Sequence, residues 1–467
     1  MNKYKKLLKN TFLFGIGTFS SKLMVFLLMP IYTAVLSPDQ YNTADLIVNT
    51  ANLLLPIVAL GIFNAVDRFG LDRSFRKSEV FSMGLMTVLC GFGVFLLFSP
   101  LAVFGFGTPP DQTLLVYMYV FASMLHTVCS NFSIALQKIR LNTVAGILAT
   151  ALVIIFNLVF LLGFHMGFTG YVLATILSDL ISTVFLFVVG RMGRFVNFGS
   201  VTKSTARAML RFAIPMIPNS VFWWITNVSD RYMVTWMMDK SEGGLYAIAY
   251  KIPNIVVLVS SVFLSAWQMS AVIEKDSKDR DRFFRRVFRS YQSLLFLAGS
   301  GIVLLVKPLT RLLTSDSYYK AWEYMPLLVM ATVFTCFVSF LGSVYIMARK
   351  SKMTLLTTVT GAVTNVVLNW LLIPVMGVNG AALATFISFF TVFVIRAVTT
   401  RKIVHIRWTM PLFYLNLIIL AIQCAVLLSE VQYWVAIEIA LFVLMLAANF
   451  QALLKTLKQI LNIRKTA

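Results

Sequence analysis

Apolar residues run in long stretches along this chain, and short polar segments separate them. About 20 apolar residues are enough for an α-helix to cross a bilayer. On this criterion the sequence predicts fourteen helices, at about 11–35, 43–66, 80–105, 113–137, 142–164, 168–190, 207–237, 243–271, 290–306, 322–347, 353–376, 379–400, 409–428 and 433–454. The pattern is therefore that of an all-α polytopic membrane protein.

Composition supports this prediction. Of the 467 residues, 59% are hydrophobic and only 12% are charged. A soluble domain carries about twice that share of charged residues.

The charged residues are distributed very unevenly among the loops. The net charge of +22 would suit a nucleic-acid partner, but Lys and Arg concentrate in every second loop, and between helices the other side carries only Lys240 and Lys320. Positive loops stay in the cytoplasm. We therefore expect both termini on the cytoplasmic side of the membrane, basic loops near anionic lipid, and no nucleic-acid partner. The basic, apolar N-terminus predicts an uncleaved first helix, because Lys22 interrupts the apolar run.

The chain contains an internal repeat. The segment "MGFTGYVLATILS" at 166–178 returns as "MGVNGAALATFIS" at 376–388, with seven of thirteen positions identical. A second pair, "LLFSPL" at 96–101 and "LLVKPL" at 304–309, recurs at a separation two residues shorter.

Helices 1–6 thus correspond to helices 7–12 in the same orientation, which predicts two lobes that enclose a central cleft. We predict a first lobe at 1–200, a second at 201–405, and helices 13 and 14 with a basic cytoplasmic tail at 406–467. The repeated glycines predict tight turns with positive φ and close helix packing.

Charges inside predicted helices are costly and therefore informative. Lys22 lies near the middle of the first helix, where it either faces substrate or pairs with Asp179 of the sixth. Arg231 and Lys251 are predicted at similar depth on helices 7 and 8, with Asp230 adjacent to both. Lys22, Arg231 and Lys251 together would form a cationic cleft suited to an anionic headgroup. Structural ion pairing and snorkelling are the alternatives.

Three further ionisable residues are candidates for conformational or ion-coupling roles. Asp67 and Arg68 end the second helix at the cytoplasmic face, where they form either a gate salt bridge or an ordinary solvated helix end. His126 in the fourth helix is either a protonation switch or a packing residue.

No motif in the sequence indicates an enzyme. A phosphate-binding glycine loop, a zinc-protease helix and a Ser/His/Asp set in context are all missing. Four cysteines (Cys90, Cys129, Cys336 and Cys424) fall in apolar spans, and their spacing fits neither disulfides nor zinc. We expect small core residues, no metal, no cofactor and no catalytic activity.

Three segments resemble a known family. They are the stretch from "KNTFLFGIG" to "YNTADL", then "VSDRYMVTWMMDKSEGGLYAIAYKIPNI", and "KPLTRLLTSDSYYKAWEYMPLL". They are similar to polysaccharide-transport flippases of the Wzx type, within the multidrug/oligosaccharidyl-lipid/polysaccharide exporter superfamily. The likeness spans essentially the whole chain. It departs at Asn42, where the family usually has glycine.

The resemblance implies a flippase that moves a polyprenyl-pyrophosphate-linked oligosaccharide outward by alternating access. It implies that Lys22, and less directly Arg231 and Lys251, hold the pyrophosphate. Coupling to H⁺ or Na⁺ is usual in the superfamily, with Asp179, Asp230 and His126 as the candidate carriers here. Other polysaccharide-assembly proteins are expected partners.

Two other functions remain open at this point. A multidrug antiporter of the same superfamily is the first alternative, although cationic drugs would favour an acidic cleft. A membrane-embedded polysaccharide polymerase or ligase is the second, and it would need a large external loop.

Overall fold

The computed structural model describes residues 26, 28–105, 107–273, 280–348, 350–404 and 410–466. Throughout these ranges the regular structure is helical. The α-helices are α1 (Met29–Val35), α2 (Pro38–Val58), α3 (Ile62–Leu71), α4 (Lys77–Leu96), α5 (Pro110–Ala135), α6 (Ile139–Asn157), α7 (Gly167–Val189), α8 (Lys203–Ala213), α9 (Ile217–Met237), α10 (Lys240–Ala249), α11 (Asn254–Ile273), α12 (Arg280–Leu313), α13 (Met325–Met347), α14 (Ser351–Met376), α15 (Val378–Thr400), α16 (Met410–Ser429) and α17 (Trp434–Thr466).

The prediction of an all-α polytopic membrane protein is confirmed. Within the described ranges, ten helices are long and apolar enough to cross a membrane, and the bent pair α2 and α3 makes up to eleven. Three predicted helices lie outside this set. The first falls mostly outside the described residues, the seventh is divided among α8, Ile214–Met216 and α9, and the apolar part of the fourteenth is the shorter segment Trp434–Phe450. The count of fourteen stays a prediction.

The second span is broken in its middle. It begins with a capping box, in which the Ser37 side chain accepts from the Gln40 backbone and the Gln40 side chain from the Ser37 backbone. Pro56 then removes a helical hydrogen bond. Leu60 (φ 49°) and Gly61 (φ 65°) adopt the left-handed conformation that ends α2. The axes of α2 and α3 consequently differ by 56°.

The repeated segments form the same local structure twice. Gly167 and Gly377 adopt φ of 57° and 58° in the turns that open α7 and α15. A Cβ atom at Gly170 would lie 3.0 Å from the Phe160 Cβ, and one at Gly380 only 2.3 Å from the Leu372 carbonyl oxygen. In each copy the second glycine therefore lets its helix pack closely on the preceding one, as the sequence predicts.

The chain divides into two compact units, Met1–Trp224 and Ile225–Ala467. Helix α8 belongs to the first unit, where it packs against α3 and α4. Its Thr205 hydroxyl donates to the buried Glu79 carboxylate of α4 at 2.7 Å. The second unit includes α16 and α17, which pack on α12. The lobe boundaries at 200 and 405 stay predictions.

Each unit has its own apolar core. In the first, Phe81 of α4 stacks on Phe132 of α5 with ring centroids 4.2 Å apart. In the second, Phe337 of α13 meets Phe393 and Phe413 at 5.5 and 5.7 Å. These aromatic contacts pack neighbouring helices against each other in each unit.

Candidate functional site

The polar centre of the second unit is built around Asp230 of α9, which is fully buried. Its Oδ2 accepts hydrogen bonds from the hydroxyls of Tyr250 at 2.5 Å, Tyr246 at 2.8 Å and Thr385 at 3.0 Å. Its Oδ1 accepts from the Arg231 backbone amide at 2.9 Å. Helices α9, α10 and α15, together with the turn after α10, therefore meet at one carboxyl group. Because burying a carboxylate is costly unless it is hydrogen-bonded, these four donors explain how the group is tolerated here.

Two asparagines extend this cluster onto α14. Asn365 donates to the Thr385 hydroxyl at 3.1 Å, and its Oδ1 accepts from Ser229 at 3.0 Å and from Asn369 at 2.9 Å. Both asparagines are fully buried. The cluster thus brings several side-chain oxygen atoms together, and among the described residues the Asn369 Oδ1 accepts no hydrogen bond.

Arg231 and Lys251 are both neighbours of this cluster. The Arg231 guanidinium lies 4.9 Å from the ring centroid of Tyr250, the residue that precedes Lys251. Lys251 lies in the break between α10, which ends at Ala249, and α11, which begins at Asn254. Asp230 and Arg231 both contact Tyr250, and Lys251 directly follows Tyr250 in the chain. A shared cationic site stays a prediction.

In the first unit the structure brings Asp179 and His126 together. Asp179 of α7 accepts a hydrogen bond from the Ser123 hydroxyl of α5 at 2.5 Å and interacts electrostatically with His126, one turn further along α5. The His126 Nδ1 is buried without a hydrogen-bond partner in the described part of the chain. Lys22, the predicted partner of Asp179, lies outside the described residues. Two of the three predicted ion-coupling candidates therefore form one local cluster.

Asp67 and Arg68 contact different neighbours at the end of α3. The Arg68 guanidinium lies 4.3 Å from the ring centroid of Phe212, and the Asp67 Oδ1 is buried without a donor in the described ranges. No ion pair joins the two side chains within those ranges. Their role as a gate stays a prediction.

One buried cation escaped the sequence analysis. Arg396 of α15 is only 6% exposed. Its guanidinium donates to the Val338 carbonyl at 2.8 Å, to the Thr357 hydroxyl at 3.0 Å and, more weakly, to Thr358 at 3.5 Å. No carboxylate within 4.0 Å pairs with it among the described residues. Arg396 lies near the end of predicted helix 12, where a snorkelling arginine is also common, and no sequence signal distinguishes the two cases.

The Asp230 cluster has the donor chemistry for a small hard cation or a proton. Carboxyl, amide and hydroxyl oxygens are the ligands that hard cations prefer. Within the described residues no three His, Cys, Asp or Glu side chains gather as for a transition metal. The open Asn369 oxygen is linked to the Asp230 carboxyl through Asn365 and Thr385. Binding of a coupling ion here stays a prediction.

Comparison with known proteins assigns the chain to a family. The family model described as "Polysaccharide biosynthesis protein" matches residues 7–268, more than half of the chain. The chain belongs to this family. The resemblance inferred from the sequence is thereby confirmed.

Individual relatives agree with this membership in the polysaccharide biosynthesis protein family. The chain is 24% identical over 329 residues to the succinoglycan biosynthesis transport protein ExoT of Rhizobium meliloti (strain 1021), which covers 68% of this chain and 63% of that relative. The chain thus spans less than two thirds of the length of this relative.

Solved structures show the fold. The lipid II flippase MurJ in an inward closed conformation superposes with a TM-score of 0.69 at 14% identity, covering 96% of this chain and 99% of that one. An inward-facing multidrug resistance MATE family transporter of the MOP superfamily gives 0.64 at 14% identity, covering 82% and 95%. These relatives are a transport protein, a flippase and a transporter, so the prediction of a non-enzymatic membrane protein is confirmed.

Proposed function

We propose that this protein is a flippase that moves a polyprenyl-pyrophosphate-linked oligosaccharide from the cytoplasmic to the outer leaflet for surface polysaccharide assembly. The observation that carries the proposal is the match of residues 7–268 to the polysaccharide biosynthesis family. The MurJ-like fold supports it, because that protein is a lipid II flippase. Transport proceeds by alternating access in the bacterial cytoplasmic membrane. Both termini are cytoplasmic, since the basic loops belong to that side.

The pyrophosphate is held by Lys22, Arg231 and Lys251. A guanidinium binds phosphate oxygens in pairs, while an ammonium acts as a compact charge. The Arg231 guanidinium lies over the Tyr250 ring, and the Arg231 backbone N–H donates a hydrogen bond to the Asp230 carboxyl. Arg231 thus places a positive charge next to the buried Asp230 carboxyl. Binding of the pyrophosphate and binding of an ion at Asp230 therefore affect each other electrostatically. Anionic lipids and other polysaccharide-assembly proteins are the remaining partners.

Transport is coupled to H⁺ or Na⁺ through Asp230. This residue joins α9, α10 and α15 through a single carboxyl group, so binding an ion there would change the hydrogen bonds of all of them together. Asp179 and His126 form the second candidate, in the first unit.

The first test measures the pool of lipid-linked oligosaccharide by mass spectrometry in cells that lack the protein. Wild type should clear the accumulated pool, and Lys22→Ala and Lys251→Ala should fail to clear it. Lys240→Ala is the matched control for Lys251→Ala, because Lys240 begins α10, the helix that precedes Lys251, and is exposed. Membrane levels of each variant are measured in parallel.

The outcomes separate the alternatives. A pool that does not accumulate without the protein overturns the flippase. If all lysine variants clear the accumulated lipid-linked oligosaccharide, the protein is still a flippase, but Lys22 and Lys251 do not bind the headgroup. An unchanged pool with greater drug sensitivity favours a multidrug antiporter, which the MATE-like fold supports. A polymerase or ligase would instead let flipped but unpolymerised units accumulate on the outer face.

The second test addresses coupling. We expect Na⁺, but not an equal concentration of choline, to raise the melting temperature of the purified protein if Na⁺ binds, because a ligand of the folded state stabilises it. Asp230→Asn should abolish this shift, whereas Asp111→Asn, at an exposed position, should keep it. A Na⁺ shift that survives Asp230→Asn would exclude this site. If no shift occurs, H⁺ is the coupling ion, and lipid flipping in vesicles should follow the pH gradient in wild type only.

A further inference from the structure

An apolar pocket lies beside the break between α2 and α3, entirely within the first unit. Its volume is about 470 Å³, in the range of pockets that hold small ligands. Along α4 and just beyond its end, lining residues recur at spacings of three and four from Met83 to Phe98. The end of α2 and the break after it contribute residues from Leu54 to Leu60, and α8 contributes Leu210. This pocket plays no part in the site described above.

The broken span creates the pocket. At Gly91 of α4 a Cβ atom would lie 2.1 Å from the Val58 carbonyl oxygen, so the two helices are in direct contact there. Immediately after Val58 the chain turns at Leu60 and Gly61 and continues as α3 at 56°. Within the described residues, this change of direction opens the space beside α4 that forms the pocket, and Leu210 of α8 also lines it.

The pocket lining is long and apolar. The lining residues from Met83 to Phe98 extend over about 22 Å at 1.5 Å per residue. Such a surface offers dispersion contacts along a hydrocarbon chain. It offers a headgroup or a sugar almost no hydrogen-bond partner.

Water cannot fill the pocket stably. Its lining is almost wholly apolar, and the Thr87 hydroxyl already donates to the Met83 carbonyl at 2.8 Å. A buried water needs two to four polar partners, and cavities lined by apolar side chains stay dry. An empty cavity of this size would lose the dispersion contacts of its whole lining. A hydrocarbon chain needs no hydrogen-bond partner, and it would supply the missing dispersion contacts.

The surroundings indicate the source of that hydrocarbon. The pocket lies between membrane-spanning segments, and its rim residues Val94, Phe98 and Ile57 are 56%, 54% and 41% exposed. In a bilayer such side chains meet the acyl chains of bulk lipid. Acyl chains are the apolar groups present there at the highest concentration, so mass action favours them over any minor lipid. We propose that this pocket binds one acyl chain of a membrane phospholipid, packed against the break in the second span.

The test is photo-crosslinking in vesicles of phosphatidylethanolamine and phosphatidylglycerol that contain a phosphatidylglycerol with a diazirine in one acyl chain. Peptide mapping should place adducts mainly in 83–98 and 54–60. Val94→Trp and, as a second filled variant, Cys90→Phe should lose these adducts. Ile155→Trp, at a similarly exposed position (52%) outside the pocket, should keep them. Monodispersity after purification identifies variants that fold.

Two results would overturn the proposal. Adducts spread evenly over exposed apolar positions, or retained in both filled variants, would mean that the pocket is not a specific site. Stronger labelling by a diazirine-bearing polyprenyl phosphate at equal mole fraction would assign the pocket to the tail of a polyprenyl lipid instead of a phospholipid chain. The proposal does not depend on the flippase function.

Discussion

The hydrogen bond between Tyr250 and Asp230 offers the sharpest test of the polar centre of the second unit. Tyr250→Phe removes only the hydroxyl group that donates to the Asp230 carboxyl at 2.5 Å. The phenyl ring remains, so its contact with the Arg231 guanidinium at 4.9 Å is kept. A hydrogen bond to a charged acceptor contributes about 1.5–3 kcal/mol. We therefore expect Tyr250→Phe to lower the free energy of unfolding by about 2 kcal/mol.

The same substitution should have almost no effect once Asp230 is gone. In an Asp230→Ala background the Tyr250 hydroxyl keeps only a weak contact to the Tyr246 hydroxyl at 3.5 Å. Removing a buried hydroxyl that lacks a good partner is close to neutral. The double-mutant cycle should therefore give a coupling energy of about 2 kcal/mol, within the range for residues in direct contact.

The assay is unfolding of the purified protein in mixed micelles at increasing denaturing detergent, which gives free-energy differences between variants. Tyr433→Phe is the control for loss of a phenol, because Tyr433 is 73% exposed. Equal effects of Tyr250→Phe in both backgrounds would refute the reasoning, since the bond to Asp230 would then contribute nothing to stability.

Three further predictions use the same unfolding assay. Gly91→Ala should destabilise by about 1–3 kcal/mol through overpacking, whereas Gly93→Ala, which has open space around it, should be neutral or stabilising; similar losses would contradict the close contact at α2. Arg396→Lys should lower the free energy of unfolding more than Arg396→Met does, because lysine keeps a buried charge with fewer hydrogen bonds. A larger loss for Arg396→Met would refute this. Glu242→Gln, which breaks an ion pair of 2.6 Å to a half-exposed lysine, should cost less than about 1 kcal/mol; a larger loss that salt does not reduce would contradict this.

The spans and the internal repeat could be predicted from the sequence because their causes are local. In a bilayer each span must satisfy its own backbone hydrogen bonds, so a run of apolar residues specifies a helix whatever its neighbours are. The repeated Gly-x-x-Gly segments likewise require positive φ at Gly167 and Gly377, and both adopt it. The family could also be predicted from the sequence, because three segments of the chain resemble it.

Part of the polar centre was also predictable. Asp230, Arg231 and Lys251 are close in sequence and were predicted on consecutive helices, so their depth could be counted along the chain. Their partners could not be derived in this way. The contribution of Thr385 and Asn365 to the Asp230 cluster depends on α14 and α15 packing beside α9, more than 130 residues further along the chain.

Only the tertiary structure shows the environment of individual side chains, which the predicted helices alone do not specify. Arg396 is buried among hydroxyls and a carbonyl, and Cys90, expected in the core, is exposed beside the apolar pocket while the other three cysteines are buried. In a sequence where nearly every span is apolar on all sides, hydrophobicity does not tell which face meets lipid and which meets another helix. The sequence determined that the helices form, because the membrane imposes that on each one separately. Which polar groups meet was decided by packing between distant helices, because only that contact removes a side chain from lipid and supplies its hydrogen-bond partner.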